Sequence, residues 1–309
     1  MSGHSLNPDS SPTDAAAIKA SLQTVRDWLR YSVSRFVAAD VYCGHGNDSH
    51  WDDAVQLVMQ TLNLPMVENV QFLDARLVPG EKDRLLERIE RRVRERVPVA
   101  YLTGEAWFMG LPFFVDERVL IPRSPLAEFL AGEGEPWLAG RSPQRILDLC
   151  TGSGCIGIAA ALQFPEALVD LADVSGEALA VARRNIERYG LQDRVRTIES
   201  DLFDGISERY DLILSNPPYV DEQDLAAMPA EYHHEPLLGL ASGPDGLELT
   251  RRMLDQAAGH LSPGGLLVVE VGNSGEALES SRPDLPLTWI HFQEGGHGVF
   301  LLSREDLPA

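Results

Sequence analysis

Cysteine is scarce in this sequence, with three in 309 residues: Cys43, Cys150 and Cys155. They form neither an even disulfide set nor a paired CxxC framework, so free thiols in a reducing, cytoplasmic setting are expected, and no metal site. Long apolar runs are missing as well. The longest, such as residues 266–269, fall far short of a membrane span, and the start MSGHSLNPDS has no apolar segment behind a basic cluster. A membrane partner is therefore not expected. Positive charge is also in short supply: 26 Lys and Arg stand against 47 Asp and Glu, a formal net charge of -21. The deficit is uneven, because residues 146–309 hold only 10 of the basic side chains but 27 of the acidic ones. Such a half repels phosphates, which argues against direct nucleic-acid binding there; it suits a basic partner or, equally, serves solubility alone.

What is present divides the chain in two. Residues 1–14 are rich in Ser, Pro and Asp without periodicity and read as a disordered lead. Over residues 14–42, Ile18, Leu22, Val25, Leu29, Val33 and Phe36 recur at steps of three and four, the stripe of one amphipathic helix. Similar patterns predict helices over 51–62 and 68–77. The stretch EKDRLLERIERRVRERV, residues 81–97, continues the pattern with Leu85, Ile89 and Val93 on one side; its Arg-rich face is expected in solvent, with RNA contact as the lesser alternative. Pro98 is expected to stop the helices. Residues 98–144 then read as a β-hairpin linker and a Gly- and Pro-punctuated connector.

From Arg145 the pattern changes to short apolar runs, RILDLC, ALVDLADV, VRTIES, YDLILS and GLLVVEV, alternating with helices over 156–163, 176–189 and 248–260. That alternation predicts an α/β fold with a mostly parallel sheet covered on both faces. The tail LTWIHF, QEGGHG, VFLLS adds an antiparallel hairpin. The chain thus divides into a lead (1–14), a helical domain (15–97), a linker and connector (98–144) and a Rossmann-like domain (145–309).

Two segments carry chemistry. In ILDLCTGSGCIG, Gly152, Gly154 and Gly157 lie between a strand and a helix, where backbone approaches a ligand closely. The GxGxxG spacing, followed by Asp173 at the end of the next strand, suits either a dinucleotide or another adenosine-bearing cofactor. Asp148 resembles the acid that begins a DxGxGxG-type turn, where it can help hold the amino-acid portion of a cofactor through its ammonium group, and Thr151 and Ser153 lie inside the same turn. Asp173 is expected to accept hydrogen bonds from ribose hydroxyls, and Asp201, Leu202 and Phe203 to border the base.

The second segment, YDLILSNPPY, ends a strand at the edge where α/β folds bind ligands. An amide nitrogen is a poor nucleophile, so its orientation must do much of the work. Asn216 can accept one N–H of a substrate amide through its side-chain oxygen, and the Pro217 carbonyl the other. Pro217 and Pro218 hold that carbonyl in one direction, and Tyr219 can lie against the flat acceptor. Asn216 thereby also adjoins the cofactor. This grip disfavours a dehydrogenase. His233 and His234 follow on a loop and receive no role; residues 221–246 around them could cover the substrate.

Taken together, DLCTGSGCIGIA, Asp173, SDLF and NPPY resemble the protein-(glutamine-N5) methyltransferase family over roughly residues 20–305. The resemblance implies S-adenosyl-L-methionine as methyl donor, no metal, a helical substrate-recognition domain, a hairpin linker and a Rossmann-like catalytic domain. The linker residues LIPRSPLAE and Cys150 are similar to the branch that acts on ribosomal protein L3. Peptide-chain release factors are the alternative substrate, with a nucleic-acid base amino-methyltransferase or a non-enzymatic ribosome-assembly factor further behind.

Overall fold

A computed structural model describes residues 15–293 and 295–308. The disordered lead read over 1–14 lies outside the described residues. The chain forms two compact units, residues 1–104 and 105–309. Among the described residues no helix is long and apolar enough to cross a membrane.

The first unit is helical: α1 (Ala15–Ser21), α2 (Val25–Ala38), α3 (His50–Thr61), α4 (Pro79–Arg94) and α5 (Val99–Thr103). Its core gathers Trp28, Leu29, Phe36, Leu57, Met59, Leu85 and Ile89. The single helix expected over 14–42 is instead two. Thr24 interrupts it, because its side chain accepts from the Asp27 N–H while the Asp27 carboxylate accepts from the Thr24 N–H, a capping box that starts α2 afresh. The helix expected over 68–77 is also absent apart from one 3-10 turn, Asn69–Phe72. Residues beyond that turn spend their backbone on the chain entering α2: Val25 and Arg26 N–H donate to Ala75 and Leu73 carbonyls, and Leu77 N–H to Gln23. Pro98 does not end the helices either, since it opens α5, which stops at Gly104.

The Arg-rich face of α4 is not wholly in solvent. Arg92 is 1% exposed and donates through Nε and Nη2 to Asp53 of α3 at 3.0 and 2.8 Å. Lys82 is buried too, on the Lys19 carbonyl and Gln23. Periodicity marks which positions turn inward; it does not reveal that an inward cation has a partner on another helix.

The second unit opens with a hairpin, β1 (Glu105–Phe108) and β2 (Leu111–Phe114), and continues through α6 (Leu126–Ala131). The alternating region follows as β3 (Arg145–Leu149), α7 (Cys155–Gln163), β4 (Leu168–Asp173), α8 (Gly176–Arg188), β5 (Val195–Glu199), β6 (Tyr210–Ser215), α9 (Glu222–Ala227), α10 (Glu248–His260), β7 (Leu261–Glu270), α11 (Gly275–Ser281), β8 (Thr288–Ile290) and β9 (Val299–Ser303). Seven strands make one sheet in the order β5-β4-β3-β6-β7-β9-β8, parallel except at β9, which runs antiparallel to β7 and β8. The α/β reading of the sequence therefore holds.

Central strands are apolar on both faces because both are covered. Ile146, Leu212, Leu214 and Val268 join one core cluster with α7, while Leu147, Leu149, Ile213, Leu267 and Val269 join the other with α10. The chain winds outward from β3 to β5, then restarts at β6 on the other side of β3. It is at such a switch, in the crevice outside the carboxyl ends of the two strands, that open α/β sheets bind ligands.

Candidate active site

Both chemistry-bearing segments leave the sheet at this crevice: Leu149 of β3 is level with Ala172 of β4 and with Ser215 of β6. Asp148, fully buried, shapes the first turn. Its Oδ2 accepts from the Thr151 hydroxyl and, at 2.8 Å, from the Gly157 N–H, tying the strand to the first turn of α7. Gly154 caps α7 at φ 81°, a conformation costly for residues with a Cβ. At Gly157 the constraint is space: a Cβ would fall 2.1 Å from Leu171 Cδ2 and 2.8 Å from Asp148 Cβ. Cys150 takes φ 61° without being glycine, so the turn holds a strained residue beside the crevice. Burial pushes the Cys150 thiol far up and that of Cys155 up to about 12, which leaves both inert as nucleophiles.

The residues present suit an amino-acid-bearing nucleoside. The Asp148 Oδ1 atom is buried without a hydrogen-bond partner, an unsatisfied acceptor that an ammonium group would complete directly or through one water. Burial pushes this carboxyl up to about 7, against the lowering effect of its Thr151 and Gly157 hydrogen bonds. Asp173 ends β4, with Oδ2 accepting from the Gly152 N–H and Oδ1 from the Ser175 N–H, both at 2.9 Å. Each oxygen keeps a lone pair for a vicinal diol. Burial raises its pKa as well.

Thr151 and Ser153 are buried in the turn, the former donating its N–H to the Ala172 carbonyl at 3.0 Å. The Ser153 carbonyl is held by Asn185 of α8, whose amide also exchanges two hydrogen bonds with Phe114 of the hairpin. The sequence reading missed Asn185. Its signal was a polar residue on the apolar stripe of Ala178, Ala182 and Ile186.

The segment beyond β5 is less uniform. Asp201 is exposed and paired with Arg252 at 3.0 Å, and Leu202 is buried at φ 50°. Phe203 is 3% exposed and stacks on His260, centroids 4.5 Å apart.

After β6, Pro217 and Pro218 are buried and Asn216 is half-buried. Among the described residues neither the Asn216 carboxamide nor the Pro217 carbonyl has a hydrogen-bond partner. Tyr219 is anchored at its far end, its hydroxyl donating to Glu270 at 2.9 Å. His233 and His234 lie in a 3-10 turn, Ala230–His234, and the Val220 N–H, one residue after Tyr219, donates to the Leu240 carbonyl at 2.8 Å.

A mostly parallel seven-stranded sheet, with an antiparallel β9 and a glycine turn after β3, is the Rossmann-like sheet of the class I methyltransferase fold. Residues 136–231 match the methyltransferase small domain, and the catalytic domain of hMettl16, solved with a MAT2A 3'UTR hairpin, shares the fold at TM-score 0.50 and 18% identity over 74% of this chain and 84% of that one. The ribosomal protein uL3 glutamine methyltransferase of Bordetella pertussis is 51% identical over 290 residues, 93% of this chain and 97% of that protein. Its counterpart from Francisella tularensis is 47% identical over 93% of this chain and 92% of its own length. The chain belongs to the family of ribosomal protein uL3 glutamine methyltransferases.

Proposed function

We propose that this enzyme uses S-adenosyl-L-methionine to methylate the side-chain amide nitrogen of a glutamine in ribosomal protein uL3. One observation carries the reading: among the described residues neither the Asn216 side chain nor the carbonyl of Pro217, the next residue, has a partner, and two oxygens are what one NH2 group requires. When bound, the cofactor supplies a methyl group on a sulfonium, reactive enough for a weak nucleophile.

Asn216 and Pro217 accept the two N–H groups of the substrate amide and stabilise positive charge as it develops on nitrogen. As the new N–C bond forms, one N–H proton becomes acidic and passes to solvent, so no strong base is needed. Tyr219 walls one side of the acceptor. Asp148 and Asp173 receive the ammonium and the ribose, and Gly152 to Gly154, with Thr151 and Ser153, form the backbone cradle. Asp201 and Leu202 border the base, with Phe203 beneath them. Residues 15–97 recognise the substrate and 98–144 link the two parts. The acidic catalytic half complements a basic ribosomal protein, and three free cysteines suit the cytoplasm.

Incubation with isotope-labelled methyl donor and separate uL3 and release-factor substrates tests the proposal. Label on a uL3 glutamine supports it; label confined to the release factor refutes the substrate choice. An Asn216→Ala variant should lose roughly 100- to 1000-fold in kcat/KM, the scale for removing one preorganised polar group from a charge-stabilising site.

A further inference from the structure

Behind Tyr219 lies a chain of buried polar groups that the chemistry above does not use. The Tyr219 hydroxyl donates to Glu270 Oε1, and Glu270 Oε2 accepts from the Ser124 hydroxyl at 2.6 Å. Glu270, the last residue of β7, is 5% exposed and Ser124 6%. The ring lies close against Gly272: a Cβ there would fall 2.6 Å from Tyr219 Cε2. Ser274 holds the Tyr219 carbonyl at 3.1 Å. Next to Ser124, Arg123 grips the buried Glu235 through two bonds of 2.6 and 2.7 Å, and Glu235 also accepts from the Ile121 N–H at 3.0 Å. Residues 121–124 are thus fastened by two buried carboxyls, Glu235 in the segment after NPPY and Glu270 at the end of β7. A buried carboxyl is expensive to keep unless its oxygens are satisfied, and Glu270 satisfies one on Tyr219 and the other on Ser124.

We propose that Glu270 is a positioning residue: together with Ser124 it fixes the Tyr219 ring before substrate arrives, so the acceptor amide meets a wall already in place. This rests on the acceptor role given to Tyr219 above. The gain is in preorganisation, so it belongs in kcat rather than in cofactor binding.

Steady-state kinetics on uL3 with Tyr219→Phe, Ser124→Ala, Glu270→Gln and Glu270→Ala, beside cofactor Kd and Tm for each, test the idea. Tyr219→Phe keeps the ring and removes the anchor; kcat should fall about tenfold, the effect of one well-placed hydrogen bond, with cofactor Kd unchanged. Ser124→Ala should give a smaller loss. Glu270→Gln, whose amide can still accept from Tyr219 and meet Ser124, should retain most activity, while Glu270→Ala loses at least as much as Tyr219→Phe. Wild-type kcat in Tyr219→Phe would overturn the proposal, as would equal damage from Glu270→Gln and Glu270→Ala. A wild-type enzyme that methylates no glutamine would instead overturn the acceptor reading beneath it.

Discussion

Asp148 gives a pH dependence that can be worked out from its surroundings. Burial lifts its carboxyl from an ordinary 3.8 to about 7, and its free oxygen is the acceptor assigned to the cofactor ammonium. Only the ionised carboxylate attracts that ammonium strongly. With a pKa near 7, the ionised fraction climbs from about one-tenth at pH 6 to about three-quarters at pH 7.5, so affinity should rise roughly eightfold over that interval, or about 1.2 kcal/mol. Stability of the ligand-free protein should move in the opposite direction. Because the folded pKa lies above the unfolded one, the contribution of Asp148 is complete below pH 3.8 and is lost as the pH rises through 7. Calorimetric titration with S-adenosylhomocysteine at pH 6, 6.5, 7 and 7.5, in wild type and Asp148→Asn, measures the first effect; thermal unfolding of the ligand-free proteins measures the second. Asp148→Asn should bind weakly with little pH dependence. An affinity flat with pH in wild type, or an identical slope in the variant, would refute the assignment.

Two further substitutions test the framework. Gly157→Ala places a methyl group inside the contact of α7 with Leu171 and Asp148, and should destabilise the protein by about 1–3 kcal/mol in denaturant unfolding. Asp53→Ala removes the carboxylate that neutralises the buried Arg92 guanidinium, and should destabilise by about 3–5 kcal/mol, with much of the loss restored by a second change, Arg92→Met.

What the sequence revealed, and what it hid, follows the range of the interactions involved. The strands from β3 to β7 were legible because apolar runs broken by glycine and helix-period stretches are local signals. The glycine turn and NPPY were legible because each concentrates its chemistry within a dozen residues. By contrast, residues 68–77 look helical by period, but their backbone pairs with the entry to α2, about fifty residues earlier. Arg92 looks like one more surface arginine until α3 brings Asp53 beside it. The Ser124 to Glu270 hydrogen bond joins positions 146 residues apart, and no local pattern at either end announces the other.

The most direct test is a crystal structure with S-adenosylhomocysteine and a glutamine-containing uL3 peptide. The account predicts the glutamine amide nitrogen within hydrogen-bond distance of both the Asn216 side-chain oxygen and the Pro217 carbonyl, with the sulfur beside it. A glutamine seated elsewhere, or an amide that touches neither oxygen, would contradict it.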